Sequence, residues 1–272
     1  MNPPPSSRDP WRWLPSPLLK GSVALHAAAG AALALQPRTW PLALGALVAD
    51  HLVLSTVGLV PRGTLLGPNL TRLPASAGDC VALTIDDGPD PGVTPTVLRI
   101  LADRGACATF FCVGEQLRAE RGLAREIVAA GHAIENHTDS HPYTFSFYGP
   151  RAIAGEISRA QDTIGAIAGR RPRYFRAPAG LRNPFLQPVL SRLGLRLASW
   201  TRRGFDTVER DGAVVTRRLL RKLAAGDIVL LHDHRAARSA AGIPVILEVL
   251  PRLLDAFEEA GLRTVTLPDI AC

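Results

Sequence analysis

Beyond residue 79, short apolar runs alternate with longer stretches in which apolar residues recur every three or four positions, a rhythm that predicts strand then helix, repeated. Strands are predicted near Val81–Ile85, Ala108–Val113, Ala133–Asn136, Tyr174–Arg176, Leu195–Ser199, Ile228–Leu231 and Thr264–Thr266. Amphipathic helices are predicted over Pro95–Arg104, Leu123–Ala130, Ala152–Ala168, Val214–Leu223 and Val245–Ala260. Several of these helices run out in a glycine, at Gly105, Gly131, Gly194, Gly226 and Gly261, where the chain needs a left-handed stop. Strands joined by helical crossovers lie parallel. About seven such units over ~190 residues suit a small or incomplete β/α barrel better than an open sheet, so the fold class is α/β.

The pattern before residue 63 is different. Residues 1–17 are rich in Pro, Ser and Arg and have no period, which predicts a disordered head. Leu18–Leu35 and Trp40–Val60 are nearly continuous apolar runs, each close to the ~20 residues that cross a bilayer as a helix. A two-helix membrane hairpin over residues 18–62 is the preferred reading. The first run is also open to reading as the apolar part of a signal peptide, because Arg8, Arg12 and Lys20 precede it. Asp50 and His51 are costly inside lipid, which keeps a pair of interfacial helices as the fallback. Basic residues flank the hairpin more than they occupy its turn, so the positive-inside rule puts both ends, and the large domain, on the cytoplasmic face of a bacterial-type inner membrane. Residues 63–78 read as a Pro- and Gly-containing linker, and residues 79–272 as the α/β domain.

Composition adds two constraints. The net charge of +7 is carried almost wholly by arginine, Lys20 and Lys222 being the only lysines; no aromatic-interleaved basic patch or zinc-finger spacing accompanies it, so nucleic acid is not an expected partner. Of the four cysteines, Cys80, Cys107, Cys112 and Cys272, none forms a CxxC pair, and no disulfide framework is expected.

Chemistry in a parallel α/β domain gathers at the C-terminal ends of the strands. Asp86 and Asp87 follow the first predicted strand, His137 and His141 the third, Arg176 the fourth and His232 with Asp233 the sixth, while Asp206 comes shortly after the fifth. Alone, Asp86 and Asp87 read as turn formers before Gly88 and Pro89, and a bare HxxxH spacing is weak. Their convergence on one rim points to metal ligands and acid–base groups. Two imidazoles and a carboxylate suit Zn²⁺ and leave a position open for water. Asp86, beside the ligand candidate Asp87, is the candidate base.

The ordered set TIDDGP, HTDSH, RAPAG and LLHD resembles the polysaccharide deacetylases of the NodB-homology type, carbohydrate esterase family 4. The resemblance spans roughly Cys80–Leu267 and implies a distorted barrel of about seven β/α units. It implies Asp86 as catalytic base, Asp87, His137 and His141 as metal ligands, and Thr138 as a brace of their loop. It further implies that Arg176 orients Asp86, that Pro178 shapes the groove, and that the backbone N–H of Ala179 is the oxyanion donor. His232 would be the general acid and Asp206 the carboxylate that tunes it. The implied activity is removal of an N-acyl group, most simply N-acetyl, from an amino sugar, with a water on the metal as nucleophile. Three positions depart from the family pattern: Ile85 replaces the usual Phe, Ala179 a common aromatic, and Thr207 follows Asp206 where Trp is usual. Loss of two aromatics that stack on sugar rings makes a long polymer a weaker expectation than a lipid-linked saccharide presented at the membrane, with lipid contact through residues 18–60. A deformylase of a lipid-linked amino sugar and a catalytically silent, membrane-tethered binding module are the alternatives.

Overall fold

The structure is a computed structural model and describes residues 13–270; most of the expected disordered head, together with Cys272, lies outside those residues. The chain opens with two apolar helices, α1 (Pro17–Leu35) and α2 (Trp40–Gly58), packed against each other as a hairpin. Ser16 caps α1 by accepting from Leu19 N–H, and prolines stand in the first turn of both helices, where their missing N–H costs nothing. Both helices are long and apolar enough to cross a membrane and are almost unburied by protein. Asp50, the polar interruption in α2, accepts a 2.7 Å hydrogen bond from Ser22 Oγ of α1, and His26 lies on the same side, with its ring 5.3 Å from that of His51. Asp50 is thus satisfied across the hairpin, while His26 and His51 turn Nδ1 to backbone carbonyls of their own helices.

The domain that follows contains β1 (Cys80–Asp86), α3 (Thr94–Asp103), β2 (Thr109–Cys112), α4 (Gly114–Ala119), α5 (Arg121–Ala129), β3 (Ala133–Asn136), α6 (Pro150–Ala168), β4 (Tyr174–Phe175), α7 (Leu186–Arg192), β5 (Arg196–Leu197), β6 (Arg202–Arg203), α8 (Gly212–Leu220), β7 (Ile228–His232), α9 (Val245–Glu259) and β8 (Arg263–Thr264). The strands pair in the order β5-β4-β3-β2-β1-β7-β6, every pair parallel, with β8 added at the start of β1. The two ends of this path, β5 and β6, are separated in the chain only by residues 198–201. The sheet is therefore a curled half-barrel wrapped by helices, the form taken by the expected distorted barrel.

Alternation along β1 explains where the site can be. Val81, Leu83 and Ile85 face outward into the core shared with α3, α5, α8 and α9. Ala82 faces the concave side, where Phe111, Tyr174, Trp200 and Leu230 form a second cluster; by the same period of two, Thr84 and Asp86 point inward. Both faces are covered, so β1 reads as an unbroken apolar run.

Residues 63–78 are no free tether. Leu70 N–H donates to Leu197 O at 2.9 Å and Ser199 N–H to Leu70 O at 2.8 Å, while Leu70 and Leu73 are buried in the concave cluster. Arg72 is tied to buried Asp227 at 2.8 Å. The helices α4 and α7 and the strand β6 went unpredicted for simple reasons: α4 has six residues and shows no full apolar period, and β6 is a polar pair.

Candidate active site

Strand register assembles the centre. Asp86, the last residue of β1, pairs with His232 of β7 and lies two strands from Asn136, after which His137 follows. Two adjacent aspartates enter one pocket only if the backbone turns between them, and it does: Asp87 has φ 77. Thr138 (φ 70), His141 (φ 50), Ala179 (φ 54) and Arg235 (φ 60) are likewise left-handed, so that five of the seven positive-φ non-glycine residues among the described residues cluster here. Such conformations are held against their own preference by the surrounding structure and gather at functional sites.

Asp87 Oδ1 lies 3.2 Å from His137 Nε2 and 3.2 Å from His141 Nε2. It is buried and has no hydrogen-bond partner among the described residues. An orphaned carboxylate oxygen facing two imidazole nitrogens is a cation-binding arrangement, and the three residues converge closely enough to hold one metal ion. Burial works against ionisation of Asp87, but the imidazoles of His137, His232 and His141 outweigh it and hold the carboxyl well below the usual range. His137 Nδ1 faces Arg176 O at 2.8 Å, which fixes a tautomer with Nε2 free to ligate. His141 is kept neutral, its pKa pushed down to about 4 by burial first and the neighbouring His137 imidazole second. Thr138 Oγ1 accepts the His141 N–H at 3.0 Å, and Asn136 Oδ1 accepts the Thr138 N–H at 3.0 Å, bracing the loop between the two imidazoles. Arg235 Nη1 stands 2.9 Å from His141 Nδ1; ligation through Nε2 places a proton on Nδ1, so the guanidinium then has to turn aside. The donor set fits a divalent metal.

Asp86 is held by a buried arginine. Arg176 Nη1 donates to Asp86 Oδ1 at 2.6 Å and to Thr84 Oγ1 at 2.8 Å, while Nη2 donates to Ser199 O at 2.8 Å. The guanidinium lies 4.1 Å from the centre of the Phe111 ring. Across the pocket, Asp206 grips His232 twice: Oδ2 accepts the backbone N–H at 2.7 Å and Oδ1 lies 3.0 Å from Nδ1. This leaves His232 Nε2 for the pocket. Burial lowers the pKa of that imidazole, but the charge and hydrogen bond of Asp206 more than offset it, raising it to about 9 with help from Asp86 and Asp87. Pro178 is buried at the turn that carries Ala179.

These groups open on a cavity of about 350 Å³ that Ala179, Tyr143, Trp200, Arg203 and Arg235 also line. Asp86, Asp87, His137, His141, Ala179 and His232 line this pocket, Arg176, Asp206 and Thr138 each lie one hydrogen bond from a lining residue, and Pro178 precedes Ala179 in the chain. The sequence reading missed Tyr143 and Trp200, which supply aromatic walls although Ala179 and Thr207 do not. Neither sits within a motif, so no local signal marks them.

The turn after Asp87 depends on Asp233. Its buried carboxylate accepts from Thr94 Oγ1 at 2.5 Å and from the His234 N–H at 2.9 Å, and Thr94 Oγ1 in turn accepts the Asp90 N–H at 2.8 Å. Burial pushes Asp233 up to about 7. A Cβ on Gly88 would lie 2.6 Å from Asp233 Cγ. Gly88→Ala is therefore expected to destabilise the fold by roughly 1–3 kcal/mol, read as a lowered Tm; an unchanged Tm would contradict the contact.

The family model described as polysaccharide deacetylase matches residues 74–198. A chitooligosaccharide deacetylase of Azorhizobium caulinodans is 33% identical over 195 residues, covering 69% of this chain and 92% of the relative. The chain belongs to the polysaccharide deacetylase family. A peptidoglycan-N-acetylglucosamine deacetylase of Bacillus cereus is 30% identical over 192 residues, covering 70% of this chain and 87% of the relative. The solved structure of a peptidoglycan N-acetylglucosamine deacetylase in complex with 4-naphthalen-1-yl-N-oxidanyl-benzamide superposes with a TM-score of 0.67 at 25% identity, covering 74% of this chain and 92% of that one. Members of this family are hydrolases of N-acetyl amide bonds and are generally metal-dependent.

Proposed function

We propose that this polysaccharide deacetylase is a metal-dependent hydrolase that removes the N-acetyl group from an amino sugar of the N-acetylglucosamine type. The observation that carries this reading is the orphaned Asp87 Oδ1 facing two imidazole Nε2 atoms, beside the arginine-held Asp86 and opposite the aspartate-held His232. Asp87, His137 and His141 would hold the ion, and their nitrogen and oxygen donors suit zinc. When bound there, such an ion polarises the acyl carbonyl and makes a water more acidic.

The remaining steps belong to the chain. Asp86, oriented by Arg176, takes the proton of the attacking water. The backbone N–H of Ala179, set by the turn at Pro178, is the donor for the oxyanion. His232 Nε2 delivers a proton to the departing amine, which leaves poorly without it, and Asp206 keeps the imidazole charged for that step. Tyr143 and Trp200 are the surfaces on which a sugar ring stacks.

Residues 18–62 are the membrane anchor in this reading, residues 63–78 the connection and residues 79–272 the deacetylase domain. The apolar character and exposure of α1 and α2 support the anchor. Residual positive charge at Arg8, Arg12 and Lys20 favours a cytoplasmic domain. Substrates of the named relatives, chitooligosaccharide and peptidoglycan N-acetylglucosamine, set the chemical class. A lipid-linked saccharide is the version that an anchored domain reaches most directly. Incubating the full chain with bacterial lipid extract and, separately, with N-acetylated glycans, then identifying the acid released by mass spectrometry, tests the reading. Acetate is expected; formate would make the enzyme a deformylase, and no acid from either fraction would overturn the proposal.

The pH dependence follows from His232. A general acid works while protonated, so kcat/KM is expected to fall as pH rises through about 9. Asp206→Asn removes the charge that raises this pKa and leaves the burial that lowers it. The alkaline limb of the variant is then expected to move to lower pH, which a pH–rate profile reads directly. An unmoved limb would show that His232 is not the acid.

A further inference from the structure

A cavity larger than the catalytic pocket lies elsewhere, between the hairpin and the catalytic domain. It measures about 1020 Å³. Val23, Ala27 and Leu54 of the helices and Phe147 and Phe185 of the domain form apolar walls, and among the described residues no Asp or Glu lines it. Phe147 and Phe185 are exposed. The charge in this apolar space comes from Lys20 and Arg182.

Arg182 is buried, with 4% of its surface exposed. Its Nη2 donates to Gly63 O, while its Nε and Nη1 are buried with no partner among the described residues. Burial lowers its pKa to about 10, so the group is charged at neutral pH. Its backbone is fixed against the end of the hairpin: the Arg182 N–H donates to Gly58 O at 3.2 Å, and any Cβ on Gly58 would run into the Arg182 carbonyl. A buried cation with two empty donors costs several kcal/mol unless an anion completes it. A guanidinium presents those donors in the geometry that matches phosphate oxygens.

This cavity is continuous in sequence with the catalytic pocket. One loop places Tyr143 in the pocket and Phe147 in the cavity; another places Ala179 in the pocket and Arg182 in the cavity. Ala179 and Arg182 are three residues apart, a span of at most about 11 Å. Arg203 and Arg235 add positive charge to the catalytic pocket, and the buried Arg203 Nε also lacks a partner among the described residues.

We propose that the cavity binds the lipid-phosphate part of the substrate: a saccharide joined through phosphate to a long hydrocarbon chain, with the phosphate on Arg182, the chain along α1 and α2 and the sugar reaching Asp86 and Asp87. The proposal deepens the deacetylase reading and rests on it for the fate of the sugar, but the binding stands independently. A neutral polymer offers Arg182 no anionic partner.

The test uses the full chain in detergent micelles, with farnesyl phosphate and farnesol as probes and native mass spectrometry as readout. Retention of farnesyl phosphate at least tenfold tighter than farnesol is expected. Arg182→Gln is expected to remove that preference, and Ala27→Trp, which fills the apolar part from an exposed helix position, to weaken both probes. In turnover, Arg182→Gln is expected to lower kcat/KM at least 30-fold on farnesyl-phosphate-linked N-acetylglucosamine and less than twofold on tetra-N-acetylchitotetraose. Equal retention of the two probes by the wild type, displacement of farnesyl phosphate by excess phosphatidylglycerol, or an equal loss on both substrates in Arg182→Gln with Ala27→Trp unaffected would overturn the proposal. Absence of acetate from either substrate with the wild type would sink the deacetylase reading alone, because probe retention is decided without turnover.

Discussion

Asp86→Asn is expected to lower kcat by about 10²–10⁴-fold, the range contributed by a positioned general base, while zinc affinity stays within threefold of the wild type. Asn keeps the shape and can still accept from Arg176, whose Nη1 lies 2.6 Å from Asp86 Oδ1, but it cannot take a proton. The variant also leaves the fully buried Arg176 without its counter-charge. Breaking a buried ion pair by removing one partner costs ~3–5 kcal/mol, less where a hydrogen bond survives, so Tm is expected to fall as well. Assays well below the melting transition separate the two effects. Wild-type turnover by this variant would remove Asp86 from the mechanism.

Asp87→Ala is expected to abolish both activity and tight metal binding. Catalytic zinc sites use three protein ligands, and the variant retains only His137 and His141. The loss of zinc affinity should exceed 100-fold, beyond the 10–100-fold that follows loss of a supporting hydrogen bond, as read by competition with a chromophoric chelator. Asp87 Oδ1 has no hydrogen-bond partner among the described residues, so the fold should persist in the variant. Stoichiometric zinc retained by Asp87→Ala would show that the ion sits elsewhere.

The sequence made the parallel α/β class and the position of the site legible because both depend on local signals. The apolar run of β1 and the helical period of α6 and α9 lie within single elements, and the strand-end rule then brings Asp86, His137, Arg176 and His232 to one rim. Asp206 was harder to read, because Thr207 follows it in place of the usual aromatic; only the pairing of β6 with β7 brings it within 3.0 Å of His232 Nδ1. Trp200 and Tyr143 were invisible for the same reason: a pocket wall is built from residues distant in sequence, with no spacing to reveal them. Arg182 lies in no motif, and nothing local shows that the hairpin end covers it. The packing of the linker could not be read from sequence, because leucines 70 and 73 are too few to show a period, though both are buried.

The most direct test of the central claim is a metal titration. Full-length protein is stripped with a chelator and dialysed, zinc is added in fractions of an equivalent, and acid release is followed on the most active N-acetylated substrate, lipid-linked or glycan. The account predicts no turnover in the stripped enzyme and a linear rise that breaks at one zinc per chain, with Asp87→Ala silent throughout. Full activity in the metal-free protein, or a zinc-loaded site that releases no acid from any N-acetylated sugar, would contradict it.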